Sequence, residues 1–311
     1  MAGSPRAKKR PSRKPAARGT ARQGAMLTQN NYGKSRVRMV KVSRDARSRR
    51  HNVAEISVDI ALEGDFGAVH VDGDNRLCLP TDTMKNTVYA LGKDHPIETI
   101  ESFALHLALH FVTRNPQVSS ARVRISRTSW ERLSVRGREH AHTFTKGSEE
   151  RETCEVALRR GRTPAISISG GIEGLVILKS TDSAFSGYQK DEFTTLPEVR
   201  DRIFATSMTA VWQFAGKHPE RADFGGARET IRRALVETFA AHKSESVQHT
   251  LFAMGQAALK ACRAVKSIRL SMPNKHCLLI NLKPFGMENN NEIFVPTDEP
   301  HGLIEATIER P

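Results

Sequence analysis

Cysteine is scarce in this chain. Its 311 residues hold four, Cys78, Cys154, Cys262 and Cys277, and none forms a C-x-x-C pair. That spacing excludes a disulfide framework and a thiolate zinc site, and the four read as reduced, mostly structural thiols of a cytosolic protein. Long apolar runs are missing too, with none near the ~20 residues of a membrane span. The basic N-terminus is not followed by an apolar stretch, so no secretory signal is expected. No G-x-S-x-G, Walker loop, dinucleotide fingerprint or flavin-type motif occurs, so an enzyme reading needs chemistry without the common cofactors.

Acidic residues are absent from the first thirty positions. Residues 1–30 carry Arg6, Lys8, Lys9, Arg10, Arg13, Lys14, Arg18 and Arg22, which accounts for more than half of the net charge of +14. The remainder is only mildly basic. Residues 1–30 are rich in Pro, Ala, Gly and Arg, cannot bury a core, and are expected to be a disordered, solubilising tail. A pI near 10 raises nucleic acid as a partner, but with the surplus in the tail this shrinks to weak, non-specific attraction.

The length suggests about two domains. Mean hydropathy of −0.46 and 38% hydrophobic residues describe a soluble globular protein. Alternation predicts strands at 37–42 (VRMVKV) and 54–62 (AEISVDIAL). Helical spacing follows at 81–91 and 96–112, the latter with apolar residues at Ile97, Ile100, Phe103, Ala104, Leu107 and Phe111. Strand-like runs return at 121–126 and 152–158. The same order then repeats: extended runs in 165–179 and 197–214, helices at 227–240 and 247–265, and strands at 265–270, 276–282, 293–295 and 303–308. The plan is strand-strand, helix-helix, strand-strand, twice, without an alignable residue-level repeat. It predicts an α+β fold of two antiparallel sheets, each with helices on one face. The uncovered faces call for self-association. The divisions are 1–30 for the tail, 31–162 for the first unit and 163–311 for the second.

Metal signals are weak. His106 and His110 are four apart on a helix, but Leu107 stands where a zincin has glutamate. His140 and His142 share one strand face with no third ligand near in sequence, so no metal is assigned. Ser169-Gly170-Gly171-Ile172-Glu173-Gly174 does not lead into a helix and reads as a turn or bulge.

The run from Leu175 to Arg202 carries a lone Phe185 in small polar surroundings and Arg202 further on. Four other places stand out: Tyr32-Gly33-Lys34, Thr81-Asp82, Val247-Gln248 and the Pro273-Asn274-Lys275-His276 run. Together with LVILKST, Ser183, Phe185, Tyr188, Phe193, Leu196 and Arg202, these resemble the urate oxidase family, in order, from about Asn31 to Ile308. The resemblance implies two tandem tunnelling-fold (ββααββ) units, a homotetramer built around a β-barrel tunnel, and active sites at subunit interfaces. It implies oxidation of urate by O2 and water to 5-hydroxyisourate and hydrogen peroxide, with no metal and no organic cofactor.

Roles follow from the same resemblance. Lys34 and Thr81 are the catalytic pair, joined by His276 in a relay. Phe185 stacks on the purine, Arg202 and Gln248 grip its edges, and main-chain groups of Asp82 and Val247 add hydrogen bonds. Thr81 and Asn274 hold O2 or water. The chemistry suits these residue types. A guanidinium forks onto an anion as lysine cannot, a carboxamide donates and accepts at once, and a hydroxyl needs an amine to activate it. The alternative is another tunnelling-fold enzyme acting on a purine or pterin, where a glutamate usually anchors the ring. The chain ends Glu309-Arg310-Pro311, without a Ser-Lys-Leu peroxisomal address, so a cytoplasmic setting is expected.

Overall fold

A computed structural model describes residues 25–45 and 47–311. Residues 1–24 of the expected tail lie outside them. The described chain forms one eight-stranded antiparallel sheet in simple sequential order. The strands are β1 (Tyr32–Arg44), β2 (His51–Gly64), β3 (Val118–Val135), β4 (Arg138–Arg159), β5 (Ala165–Lys179), β6 (Phe204–Phe214), β7 (Val265–Leu279) and β8 (Phe294–Glu309). The helices are α1 (Gly67–Val71), α2 (Thr81–Asp94), α3 (Ile100–Arg114), α4 (Phe224–Ala241) and α5 (Val247–Ala261).

The expectation of two separate sheets is corrected. The link after Arg159 is a short turn, so β5 folds straight back onto β4 and pairs from Arg159↔Ala165 to Arg151↔Glu173. The halves therefore share one sheet. A buried ion pair between Glu101 on α3 and Arg228 on α4 joins their helix layers.

Alternation sets which face is buried. On β2, Ala54, Ile56, Val58, Ile60 and Leu62 point inward at every second position. They pack beneath α2 and α3, whose buried residues include Met84, Val88, Phe103, Leu107 and Phe111. In the second half Trp212, Met208 and Phe204 on β6 face Ile231 and Leu235 of α4 and Met254 of α5. The opposite face stays open: Val40, Val176, Leu178 and Val211 are 39–60% exposed there. β1 and β8 each pair on one side only.

The repeat becomes visible at helix ends, where the last carbonyls lack partners. Lys41 donates to the Gly92 and Lys93 carbonyls at 2.8 and 3.0 Å, closing α2. Lys179 donates to His242 at 2.6 Å, closing α4. Arg160 reaches the Asn115 and Val118 carbonyls at 3.0 and 3.1 Å beyond α3. Arg310 reaches Cys262 and Val265 at 2.9 Å each beyond α5. Equivalent cations cap equivalent helices, each at a negative helix end.

Three stretches take definite form. The polar stretch between 128 and 151 continues β3 and β4 into a hairpin, closed by Arg136 and Gly137 at φ 52° and 76°, the primed turn that fits strand twist. The glycine-rich run is a bulge inside β5, with a register shift between Ile172 and Leu175 and Gly174 at φ 74°. Pro273-Asn274 does not separate two strands, as the predicted 265–270 and 276–282 implied, but is the middle of β7. Met272 and Pro273 have no partner in the β6–β7 register, which accommodates a residue lacking an N–H.

Candidate active site

The nine residues singled out by sequence fall into two groups. The first is at the start of the first half. Lys34 lies on edge strand β1 just before a bulge, where the register slips between Lys34 and Val37 and Arg36 adopts φ 56°. Such bulges re-aim a side chain. A Cβ on Gly33 would sit 1.7 Å from the Ile60 carbonyl oxygen, so only glycine allows this approach to β2. Thr81 is the first residue of α2. The cap residue Pro80 provides no side-chain acceptor for the first turn, so those N–H groups remain available to an anion. Asp82 is exposed and accepts from Lys85, and from Asn86 at 2.9 Å. The Lys85 ion pair holds its carboxyl below the ordinary value, and the Lys34 charge adds to the effect. Lys34 and the start of α2 are thus neighbours.

The second group is in the second half. Phe185 is in the connection between β5 and β6, held by a two-way backbone bridge to Val199 at 2.8 and 3.0 Å. Its ring is stacked on Tyr188, with centroids 4.8 Å apart and planes 13° from parallel. The Tyr188 hydroxyl donates to the Leu196 carbonyl and Lys190 pairs with Glu198 at 2.9 Å, so the loop is stapled along its length. The guanidinium of Arg202 lies 5.7 Å from the Phe185 ring centroid. The aromatic face and the cation, well apart in sequence, do converge.

The same loop reaches α5. Ala184 donates to the Ser244 carbonyl at 2.7 Å, and Ser244 donates to Asp182 at 2.9 Å. Ser246 then caps α5 by accepting from His249 at 3.1 Å. Val247 and Gln248, the first residues of α5, follow directly, Val247 buried and Gln248 exposed. Asn274 is opposite Thr206 in the β6–β7 register and opposite Gly302 in β8. His276 follows on β7, opposite Thr297, past a register shift.

Unmet hydrogen-bond demand collects here. Ser183 Oγ, Arg202 Nε and Thr206 Oγ1 are buried without partners, the first two on the loop that bears Phe185 and Arg202, the third opposite Asn274. Burial lowers the pKa of Arg202 from its ordinary value, though an arginine so shifted stays charged. Buried polar atoms are normally satisfied, so these three have hydrogen-bonding capacity left over. Tyr188 is named in the resemblance without a role in the site, and Thr206 is not named at all. Tyr188 stands in the same quoted run as Phe185, whereas no sequence pattern singles out Thr206.

The two groups do not meet within the chain. β1 and β7 are six strand spacings apart, at ~4.8 Å each. Asn274, opposite Thr206 on the strand that follows Arg202, and His276 are therefore away from Lys34 and Thr81. A cavity of about 590 Å3 opens elsewhere, between the starts of α3 and α4. Its charges pair with one another, Arg232 with Glu150 at 2.8 Å and Arg127 with Glu152 at 3.6 Å, and none of the nine residues lines it. The His140–His142 pair does gain a neighbour in space, His51, at 5.7 Å between ring centroids. Among the described residues no group of three or more His, Cys, Asp or Glu is arranged to hold a metal ion.

Comparison with known proteins adds to this geometry. The family model described as Uricase matches residues 30–157 and 168–305. A uricase of Arthrobacter globiformis is 39% identical over 285 residues, covering 92% of this chain and 90% of that protein. One from Aspergillus flavus is 35% identical over 289 residues, covering 90% and 95%. The crystal structure of the Arthrobacter globiformis uricase superposes with a TM-score of 0.85 at 39% identity, covering 93% of this chain and 96% of that one.

Proposed function

The chain belongs to the uricase family, and we infer on that basis that it is an oxidoreductase that uses O2 to oxidise urate. Urate, O2 and water give 5-hydroxyisourate and hydrogen peroxide. One oxygen enters the purine and the two electrons removed from it reduce O2. The observation that carries the reading is the convergence of Phe185 and Arg202, with a buried, unpartnered guanidinium nitrogen beside an aromatic ring.

The division of labour we propose is as follows. The urate ring stacks on Phe185, worth roughly 1 kcal/mol. Arg202 forks onto one edge as a charge-assisted pair. Gln248 pairs with an amide-like edge, donating and accepting at once, while main-chain groups of Val247 and Asp82 add hydrogen bonds. Lys34 activates the Thr81 hydroxyl to take a proton from urate, with His276 passing it on. Asn274 and Thr81 hold O2, and later water, over the ring. Electrons leave the deprotonated substrate itself, so these side chains position and polarise and carry no electrons.

The two residue groups complete one another between copies. Lys34, Thr81 and Asp82 come from one subunit, and Phe185, Arg202, Val247, Gln248, Asn274 and His276 from its neighbour. Their separation across the sheet, the open strand edges and the uncovered apolar face support this arrangement. A homotetramer of tandem tunnelling-fold units, 31–162 and 163–311, would close those faces around a β-barrel tunnel.

The test is direct. Protein is mixed with urate in air, and loss of urate absorbance and release of peroxide are followed. The assay is repeated without O2 and with a chelator. Turnover should require O2, release about one peroxide per urate and ignore the chelator. Urate left untouched in air refutes the reading.

A further inference from the structure

Tyr32 has no role above, yet it is the side chain that ties the first strand to the start of α2. We propose that Tyr32 is a positioning residue for the catalytic pair, setting Lys34 against Thr81; this rests on the functional reading of that pair. Its hydroxyl accepts from the Leu79 N–H at 2.8 Å and donates to the Leu79 carbonyl at 3.1 Å. Both bonds fall on one residue of the loop that delivers Thr81, two positions away. The ring meets fully buried Phe66 edge-on, centroids 4.7 Å apart and planes at 86°, so the anchor is set in the core.

Alternation supplies the second half of the link. Tyr32 and Lys34 are two apart on β1 and share a strand face. If Tyr32 faces the loop before α2, so does Lys34, and the Lys34 charge does act on Asp82 at the first turn of that helix. Lys34 is the last residue paired with β2 before the bulge, and Tyr32 is the fixed point two residues before it. A phenol is suited to this because one hydroxyl can donate and accept together. Phenylalanine would fill the same space and strand both Leu79 groups. Burial, with Cys78 adjoining, pushes the Tyr32 pKa up to about 12, so the hydroxyl keeps its proton across any working pH.

The experiment compares wild type, Tyr32→Phe and Phe66→Leu in the full chain. Tyr32→Phe should lower kcat about tenfold or more, because small misplacements of reacting groups are costly. The KM for urate should stay within about twofold, since the side chains that grip the ring, Phe185, Arg202 and Gln248, lie in the other group. Phe66→Leu, which loosens the ring's support without removing the hydroxyl, should lower Tm yet keep kcat within about twofold. Tyr32→Phe with unaltered kcat overturns the proposal. So does a Tyr32→Phe protein that does not fold, or losses of kcat in both variants that merely follow Tm, since each makes Tyr32 structural only. The 15N resonance of the Lys34 ammonium, assigned by its loss in Lys34→Met, supplies a readout without urate. It should move in Tyr32→Phe. If it moves while wild type fails to oxidise urate, the positioning stands and the functional reading falls; if it does not move, the positioning falls.

Discussion

The two halves share a frame and differ in what they hang on it. Lys41 and Lys179 close α2 and α4, and Arg160 and Arg310 cap the carbonyls beyond α3 and α5. The candidate site residues ignore this equivalence. In the first half they sit at the start of the first long helix, in the second at the start of the last one. The connections differ as well. β1 and β2 are joined by a short turn, whereas the link between β5 and β6 spans the long loop that holds Phe185 and Arg202. The repeat therefore fixes stability, and departures from the repeat make the site. On the proposed reading the first half supplies the catalytic pair Lys34 and Thr81, and the second supplies Phe185, Arg202 and Gln248 to grip a flat anion, with His276 beside them.

That contrast can be broken with substitutions. Lys34→Met or Thr81→Ala should lower kcat about a hundredfold or more while leaving KM nearly unchanged, because acid–base groups act on the chemical step. Steady-state kinetics checks this, and near-normal turnover in Lys34→Met would contradict the role of the first half. Arg202→Ala should act on the other side, raising KM about ten- to a hundredfold, in keeping with loss of a charge-assisted hydrogen bond. Arg202→Lys should recover little of it, since an ammonium cannot fork.

The shared frame makes smaller predictions. Lys41→Met and Lys179→Met should each cost about 1 kcal/mol of stability, and by similar amounts, because each removes a cation from a helix C-terminus. Urea melts measure both, and a large inequality would deny the equivalence. The smallest effect is on pH. His95, His110 and His242 all have pKa values pulled below the ordinary 6.5, first by burial. As pH falls through 6.5 the unfolded chain takes up protons that the folded chain refuses, so the stability these groups contribute is present above that pH and lost below it. Melts between pH 7.5 and 5 should show the decline, less steeply in His95→Gln.

Much of the frame was legible in sequence, since Ile56, Val58, Ile60 and Leu62 alternate and Ile100, Phe103, Leu107 and Phe111 recur at helical spacing. The hairpin beyond Thr128 was read only as a strand face bearing His140 and His142, because its few apolar residues, Trp130, Leu133, Val135 and Phe144, are interspersed with charged and polar ones. β7 was split at Pro273, where a proline masked a strand whose ladder with β6 skips that residue while β8 pairs with it. The capping cations were hidden because they are single residues far in sequence from the carbonyls they satisfy. The site residues were legible only through resemblance to a family. Spacing alone says nothing of Phe185 meeting Arg202, and nothing of Thr206, whose demand for a partner exists only once β6 and β7 pair.

A subunit-mixing experiment tests the split between the halves most directly. Lys34→Met and Arg202→Ala proteins, each nearly inactive when assayed at urate below the wild-type KM, are dissociated together and reassembled. If the site is shared between copies, mixed oligomers contain junctions where an intact Lys34 from one subunit faces an intact Arg202 from its neighbour, and urate oxidation should return to a substantial fraction of wild type. If each chain builds its own site, every site keeps one lesion, and a mixture shown to co-assemble yet still inactive would contradict the division between the halves.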